Sequence, residues 1–351
     1  MQSGFCAHMK QIAETAGGTR ALYQKSEEEL KAVKGISDTF AAHIYNRRNR
    51  WNLDAEYEKL KLSGVRFIPW YHCDYPKKLL QISGYPYALF VKGGLPEETV
   101  GSVAVIGARD CSEYGRMMAD YFGRELAENG VQIISGMAYG VDGIGQMAAL
   151  KAGGTSFGVL GCGVDICYPS SNRKLYEKLS ESGGLLSEYC PGTRPLARLF
   201  PPRNRIISGL SDVILVVEAR KRSGTLITVD MALEQGKEIL IVPGRITDPL
   251  STGCNCLLKQ GAGMAQTVED VLVLLDEKYK IKIKKTEKEK IKLESREVLV
   301  YACLDLYAKN LEEIALEVSC SFSELLHILV SLELKGLVKE VSKNYYIKTA
   351  T

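Results

Sequence analysis

At 351 residues, 46% hydrophobic and 25% charged, with a formal net charge of +3, the chain has material for more than one hydrophobic core. So small a positive excess does not by itself announce a nucleic-acid binder, and any basic patch must be local. No apolar run approaches the roughly 20 residues of a membrane span, the N-terminal MQSGFCAHMKQIAETAGG lacks a secretory pattern, and ten cysteines without CxxC pairs read as reduced cytosolic thiols.

The first 55 residues read as a helical module. Apolar residues at helical spacing from Ala21 to Val33 predict one helix, Gly35 breaks it, and Ser37 with Asp38 caps a second running through His43 to Arg47. Helix, Gly-Ile turn, helix is the outline of a helix-hairpin-helix. Ser37 stands where that motif places a second glycine, so a plain packing module is the preferred reading. Phe67 to Gly94, rich in Pro, Tyr and Gly, reads as an opening strand and a packing arm.

From Val103 the pattern alternates. Short apolar runs at 103–107, 131–135, 156–161, 212–218 and 238–244 are each bounded by Gly, Pro or Ser and separated by amphipathic stretches. Strands apolar on both faces and spaced by helices form a mostly parallel sheet covered on both sides. Ligands of such doubly wound sheets sit outside the carboxyl ends of the strands, so the loops there are the place to look for function.

The first of those loops, GARDCSEYG (107–115), places Arg109 where a dinucleotide fingerprint needs its second glycine. NAD and FAD are thereby disfavoured. Gly107 and Arg109 instead suit a bound phosphate near a helix start. In SGMAYGVD (135–142), Ser135 and Gly136 offer a hydroxyl and close backbone approach, though a tight turn needs the same residues. In GCGVDICYPSSNRKLY, Asn172, Arg173 and Lys174 open a helix, where cations oppose the dipole and are better explained by an anion. Tyr168 before them is placed either to stack on a base or simply to pack.

The richest stretch is FPPRNRIISGLSDVILVVEARKRSGT (200–225). Arg203, Asn204 and Arg205 precede a buried run, which ends in the hydroxyl-rich turn Ser223, Gly224, Thr225. Guanidinium forks match phosphate oxygens and a Gly-rich helix start adds N–H donors. Asn204 and Arg205 are read equally as structural, pairing with Glu218 or a helix end. No nucleophile lies beside a base, all four histidines fall outside the alternating strand and helix run from Val103 to 244, and no metal-ligand spacing appears. No catalytic, metal or cofactor residue is assigned.

Residues 277–296 form a lysine-heavy linker, and 297–351 a third unit. Helices at 297–307, 311–318 and 321–334, then two strands about a Ser342-Lys343-Asn344 turn, describe a winged helix. Its longer helix shows Ser321, Ser323, Glu324, His327, Ser331 and Glu333 outward, an acidic to neutral face ill suited to duplex reading.

In order, VAVIGARDCSEYG, SGMAYGVD, YPSSN, FPPRNRIISGLS, SGTLIT, VPG and TGCNCLLKQGA resemble the DprA/Smf family of bacterial DNA-processing proteins, over nearly the whole chain. The resemblance implies an extended Rossmann-like core at 56–276, a SAM- or helix-hairpin-helix-like module at 1–55 and a C-terminal winged helix. It also implies a cytoplasmic homodimer, joined through the core, that binds and protects single-stranded DNA and helps load RecA, with no catalytic step. Two departures stand out: Ala108 replaces the hydroxyl residue usual in the first loop, and Ser170 and Ser171 stand where a lysine often precedes the asparagine.

Two rivals remain. A nucleoside-phosphate hydrolase of the lysine-decarboxylase-like (LOG) group would carry PGGxGTxxE, but KRSGTLIT lacks the glycine pair and sets Thr228 at the glutamate's place. A winged-helix regulator with a ligand-sensing core would prefer one duplex sequence.

Overall fold

A computed structural model describes residues 11–50, 52–280, 293–305 and 307–348. Nine strands form one sheet: β1 (Val65–Pro69), β2 (Ala88–Gly93), β3 (Ser102–Ile106), β4 (Gln132–Ser135), β5 (Ser156–Val159), β6 (Gly183–Ser187), β7 (Val213–Val216), β8 (Glu238–Ile241) and β9 (Gly263–Met264). Their order is β1-β2-β6-β5-β4-β3-β7-β8-β9. From β6 to β9 all neighbours are parallel, and β2 pairs antiparallel with both β1 and β6. The expected doubly wound, mostly parallel sheet is therefore present.

Alternation along the central strands builds two cores. Ala104, Ile106, Ile214 and Val216 point to one side, against Ile206, Ile207 and Leu210 of the helix Phe200–Leu210. Val103, Val105, Val213 and Leu215 point to the other, against Phe122 and Leu126 of Glu113–Glu128 and Val271 and Leu275 of Val268–Tyr279. Winding runs from β3 to β6 in one direction and from β7 to β9 in the other. The reversal lies between β3 and β7, and their carboxyl ends open the crevice where such folds bind ligands.

Strand β6 has no counterpart among the expected strands. At its start a Cβ at Gly183 would lie 1.8 Å from Ser156 O and one at Gly184 2.0 Å from Gly94 O. Backbone crowding, not a turn, requires these glycines. Residues 67–94 likewise supply most of two antiparallel strands rather than one strand and an arm. The single helix expected over 21–33 is two, Thr19–Gln24 and Glu27–Lys31, because Ser26 and Glu29 form a capping box that starts the second. The helix Asp38–Arg50 forms as expected, and the expected boundary at 55 falls inside the helix Leu53–Leu62.

Most of the expected linker, residues 281–292, lies outside the described residues, and the helix Val268–Tyr279 extends into its start. Beyond it, helices Ser295–Cys303, Leu311–Val318 and Phe322–Leu334 pack with β10 (Lys309–Asn310), β11 (Val338–Ser342) and β12 (Tyr345–Lys348), in sheet order β10-β12-β11. Val300, Ile314, Leu325, Leu329 and Leu332 form their separate core. The outward face of Phe322–Leu334 also carries Phe322, Leu326, Val330 and Leu334, an apolar stripe overlooked in the sequence. Glu324 meets Arg296, and Ser331 donates to Glu297. Among the described residues no single helix is long and apolar enough to cross a membrane.

Candidate nucleic-acid interface

The β3 and β7 loops form a cavity of about 560 Å³ at the reversal point. Seven expected residues line it: Gly107, Arg109, Arg203, Asn204, Ser223, Gly224 and Thr225. Gly107 is required by packing, since a Cβ there would meet Val141 Cγ2 at 2.7 Å. Arg109 is exposed, makes no ion pair with a described residue, and leans over the Phe200 ring at 6.0 Å. Arg203 approaches the same ring at 5.8 Å.

Arg203 is buried, and most of its donors are spent. Nη1 donates to the carbonyls of Gly136 (2.9 Å) and Val159, and Nε donates to Asn204 Oδ1 at 3.2 Å. Burial pushes its pKa down to about 10, opposed by Asp142 and reinforced by Arg109. Asp142 accepts from the Gly136 N–H at 3.0 Å. Burial raises its pKa, while Arg203 and that N–H pull the other way. Arg203 thus braces the floor, while Arg109, with no ion pair to a described residue, reaches the same cavity.

The hydroxyls divide. Ser135 donates to Val105 O (2.7 Å) inside the sheet and does not line this cavity. Thr225 donates to Gly107 O at 3.1 Å, tying the two loops together. Ser223 Oγ is buried without a hydrogen-bond partner among the described residues, beside Gly224, the first residue of the helix Gly224–Glu234. Glu218, fully buried, does not pair with Arg205 or Asn204. It accepts from the Ser112 N–H and hydroxyl and so anchors the loop that carries Arg109. Burial raises its pKa against those bonds.

Arg205 is turned away from this cavity. It is 5% exposed, forks onto both Glu188 oxygens at 3.0 and 2.7 Å and donates to Gly84 O and Pro202 O. Arg205 thus pairs with Glu188, whereas the structural alternative named Glu218 or a helix end. Gly136 is likewise consumed, its N–H by Asp142 and its carbonyl by Arg203.

A second cavity of about 710 Å³ shares Arg109, Asp110 and Ala138 with the first. Asn172 and Lys174 line it; Arg173 does not, and pairs with Glu177 at 2.8 Å. Asn172 fixes the neighbouring loop by donating to Met137 O and Ala138 O, both at 3.1 Å. Met137 adopts φ 53°, a left-handed conformation costing on the order of 1–2 kcal/mol for such a side chain, and Gln146 also holds it by accepting from its N–H.

A family model described as DNA recombination-mediator protein A matches residues 66–276. The chain belongs to the DprA/Smf family. It is 42% identical to DNA processing protein DprA of Streptococcus pneumoniae over 198 residues, covering 56% of this chain and 70% of that protein. It is 46% identical to protein Smf of Escherichia coli over 199 residues, 56% of this chain and 53% of that one. The solved DprA of Streptococcus pneumoniae superposes with a TM-score of 0.67 at 34% identity, covering 78% of this chain and 94% of that one. DNA processing protein A of Helicobacter pylori, solved for its single-stranded DNA binding mode, gives 0.55 at 29% identity, covering 61% and 97%.

Within this DprA/Smf core, site residues were overlooked. Arg220, exposed and without an ion-pair partner among the described residues, lines the first cavity. It stands in ARKRSGT, directly before the turn singled out in the sequence. Phe200, the first residue of the FPPRN run, sits under both arginines, and Tyr168 lies 5.5 Å from its ring. Its role is invisible without knowing that the 107–110 loop folds over it. The exposed trio His72, Cys73 and Asp74 places three metal-type ligand atoms together, but none of them lines either cavity.

Proposed function

We propose that this DprA/Smf chain holds the phosphate backbone of single-stranded DNA at the β3–β7 crevice, protects it, and presents it to RecA during natural transformation. One observation carries the reading: Arg109 and Arg220 reach the crevice with no ion pair to a described residue, beside the Ser223 hydroxyl, unpartnered among the described residues, and the Gly224 helix start. The description of the Helicobacter relative names single-stranded DNA, and the family description names a recombination mediator. Both support this ligand and partner.

The proposal includes no catalytic step. Of the carboxylates lining the first cavity, Asp142 is engaged by the Gly136 N–H, and Thr228 stands where a hydrolase of the LOG type carries its glutamate. The C-terminal unit is read as a winged helix whose apolar, weakly charged outer face serves contacts other than duplex reading. A cytoplasmic homodimer joined through the core, with a SAM- or helix-hairpin-helix-like N-terminal module, completes the proposal.

Gel shifts with the full chain, comparing single-stranded with duplex DNA and repeated with RecA, test it. Preferential binding of single strands, weakened in Arg109→Ala, is expected. Equal or better duplex binding sinks the proposal, and free base released from nucleoside monophosphates would move it to the hydrolase group.

A further inference from the structure

We infer that the cavity on the far side of Arg109 is a second strand-binding subsite, so that one polynucleotide runs through both cavities across the Arg109 ridge. The inference rests on single-strand binding at the first cavity and extends it. The ridge is built by two touching loops. Val141 N–H donates to Ala108 O at 3.2 Å, and Gly140, at φ +70°, comes so close that a Cβ would lie 2.3 Å from that same oxygen. Because Arg109 and Asp110 line both cavities, a ligand bound by Arg109 has space on either side.

The second cavity has the chemistry of a stacked, charged chain. Ile144 and Met147, half-buried, supply an apolar floor, and Tyr139, 50% exposed, stands at one end. Arg116, Lys151 and Lys174 are exposed at the rim. With Arg109 they set four cations against Asp110 and Asp120, and Arg116 also meets Glu113 at 3.5 Å. Half-buried apolar residues together with exposed cations match bases turned inward and phosphates outward.

Length argues for a polymer. Tyr139 precedes the helix Val141–Lys151 and Lys151 ends it, a rise of about 15 Å. At roughly 3.4 Å per stacked nucleotide that distance takes about four nucleotides, fewer if the strand is stretched. The helix is held close by the absence of side chains at its crossing, where a Cβ on Gly123 would lie 2.3 Å from Gly145 O.

The test measures oligothymidine affinity against length, from about four to about twelve nucleotides, at one salt concentration. The full chain is compared as wild type, Arg109→Ala, and Tyr139→Ala with Lys151→Gln. Thermal unfolding checks that the double variant, altered only at exposed positions, stays folded. Wild-type affinity should rise with length. The double variant should bind the shortest oligomer like wild type and lose on the order of tenfold on the longest, with a shallower salt dependence. If it keeps the full gain with length while Arg109→Ala binds poorly, the second subsite is refuted and the first cavity stands. If neither variant changes affinity at any length, both fall.

Discussion

Arg203 and Asp142 face each other across the backbone of Gly136, which gives its carbonyl to one and its N–H to the other. A Cβ on Gly136 would lie 2.8 Å from Arg203 Nη2 and 2.8 Å from Asp142 Oδ2, so any larger residue would push the two groups from their places. Arg203→Ala should therefore strand a buried carboxylate and two carbonyls, costing about 3–5 kcal/mol in urea unfolding. Adding Asp142→Asn should recover part of that loss. A double variant no better than Arg203→Ala would show that the two charges are not coupled.

Arg109 is the converse case. It is exposed and braces nothing, so Arg109→Ala should leave stability within about 0.5 kcal/mol. Single-strand affinity should fall by about tenfold, and the slope of log affinity against log salt should shrink by about 0.7, one phosphate contact. A matched salt titration of wild type and variant checks both, and an unchanged slope would remove Arg109 from the interface.

Arg205 separates structural from ligand-holding arginines within a single run. Its side chain is 6% exposed and its Glu188 partner 11%, so Arg205→Ala leaves a buried carboxylate uncompensated and should cost about 3–5 kcal/mol. Among molecules still folded, single-strand affinity should match wild type. A variant that stays fully stable yet binds poorly would restore Arg205 to the interface.

These contrasts mark where the sequence was legible. Strand-end loops, the reversal of winding and the location of the crevice follow from apolar periodicity, which burial on both faces imposes. The motifs also placed Arg109, Ser223 and Gly224 where the cavity is. What periodicity cannot carry is the direction of a side chain on a helix whose neighbours are distant in sequence. Arg203 and Arg205 are two residues apart on Phe200–Leu210 and point to different partners, Gly136 and Glu188, that only the folded sheet brings near. Phe200 was missed for the same reason, and Arg220 because it stands in an irregular segment after β7 whose course no periodicity gives. Strand β6 was missed because its glycines are demanded by backbone contacts at Ser156 and Gly94, and glycine in a sequence reads first as a turn.

Asp212 predicts the acid limit of the core. It follows the helix Phe200–Leu210 and gathers Lys78 at 2.7 Å, Lys278 at 2.9 Å, the Tyr279 hydroxyl and the Ser102 N–H. Burial alone would raise its pKa, but Lys78, Lys278 and the Ser102 N–H together outweigh it and bring the value down to about 2. A folded-state pKa below that of the unfolded chain gives stability that is present above the ordinary aspartate range and is lost as pH falls through about 2. Its size is about 2 kcal/mol, since each unit is worth about 1.4 kcal/mol and the carboxylate is mostly buried. Asp212→Asn should therefore be less stable than wild type by about that amount near neutral pH, with the gap closing as pH falls from about 4 toward 2. Urea unfolding of both proteins across that range decides it: a gap that stays constant with pH would mean Asp212 acts through its hydrogen-bonding shape and not through its charge.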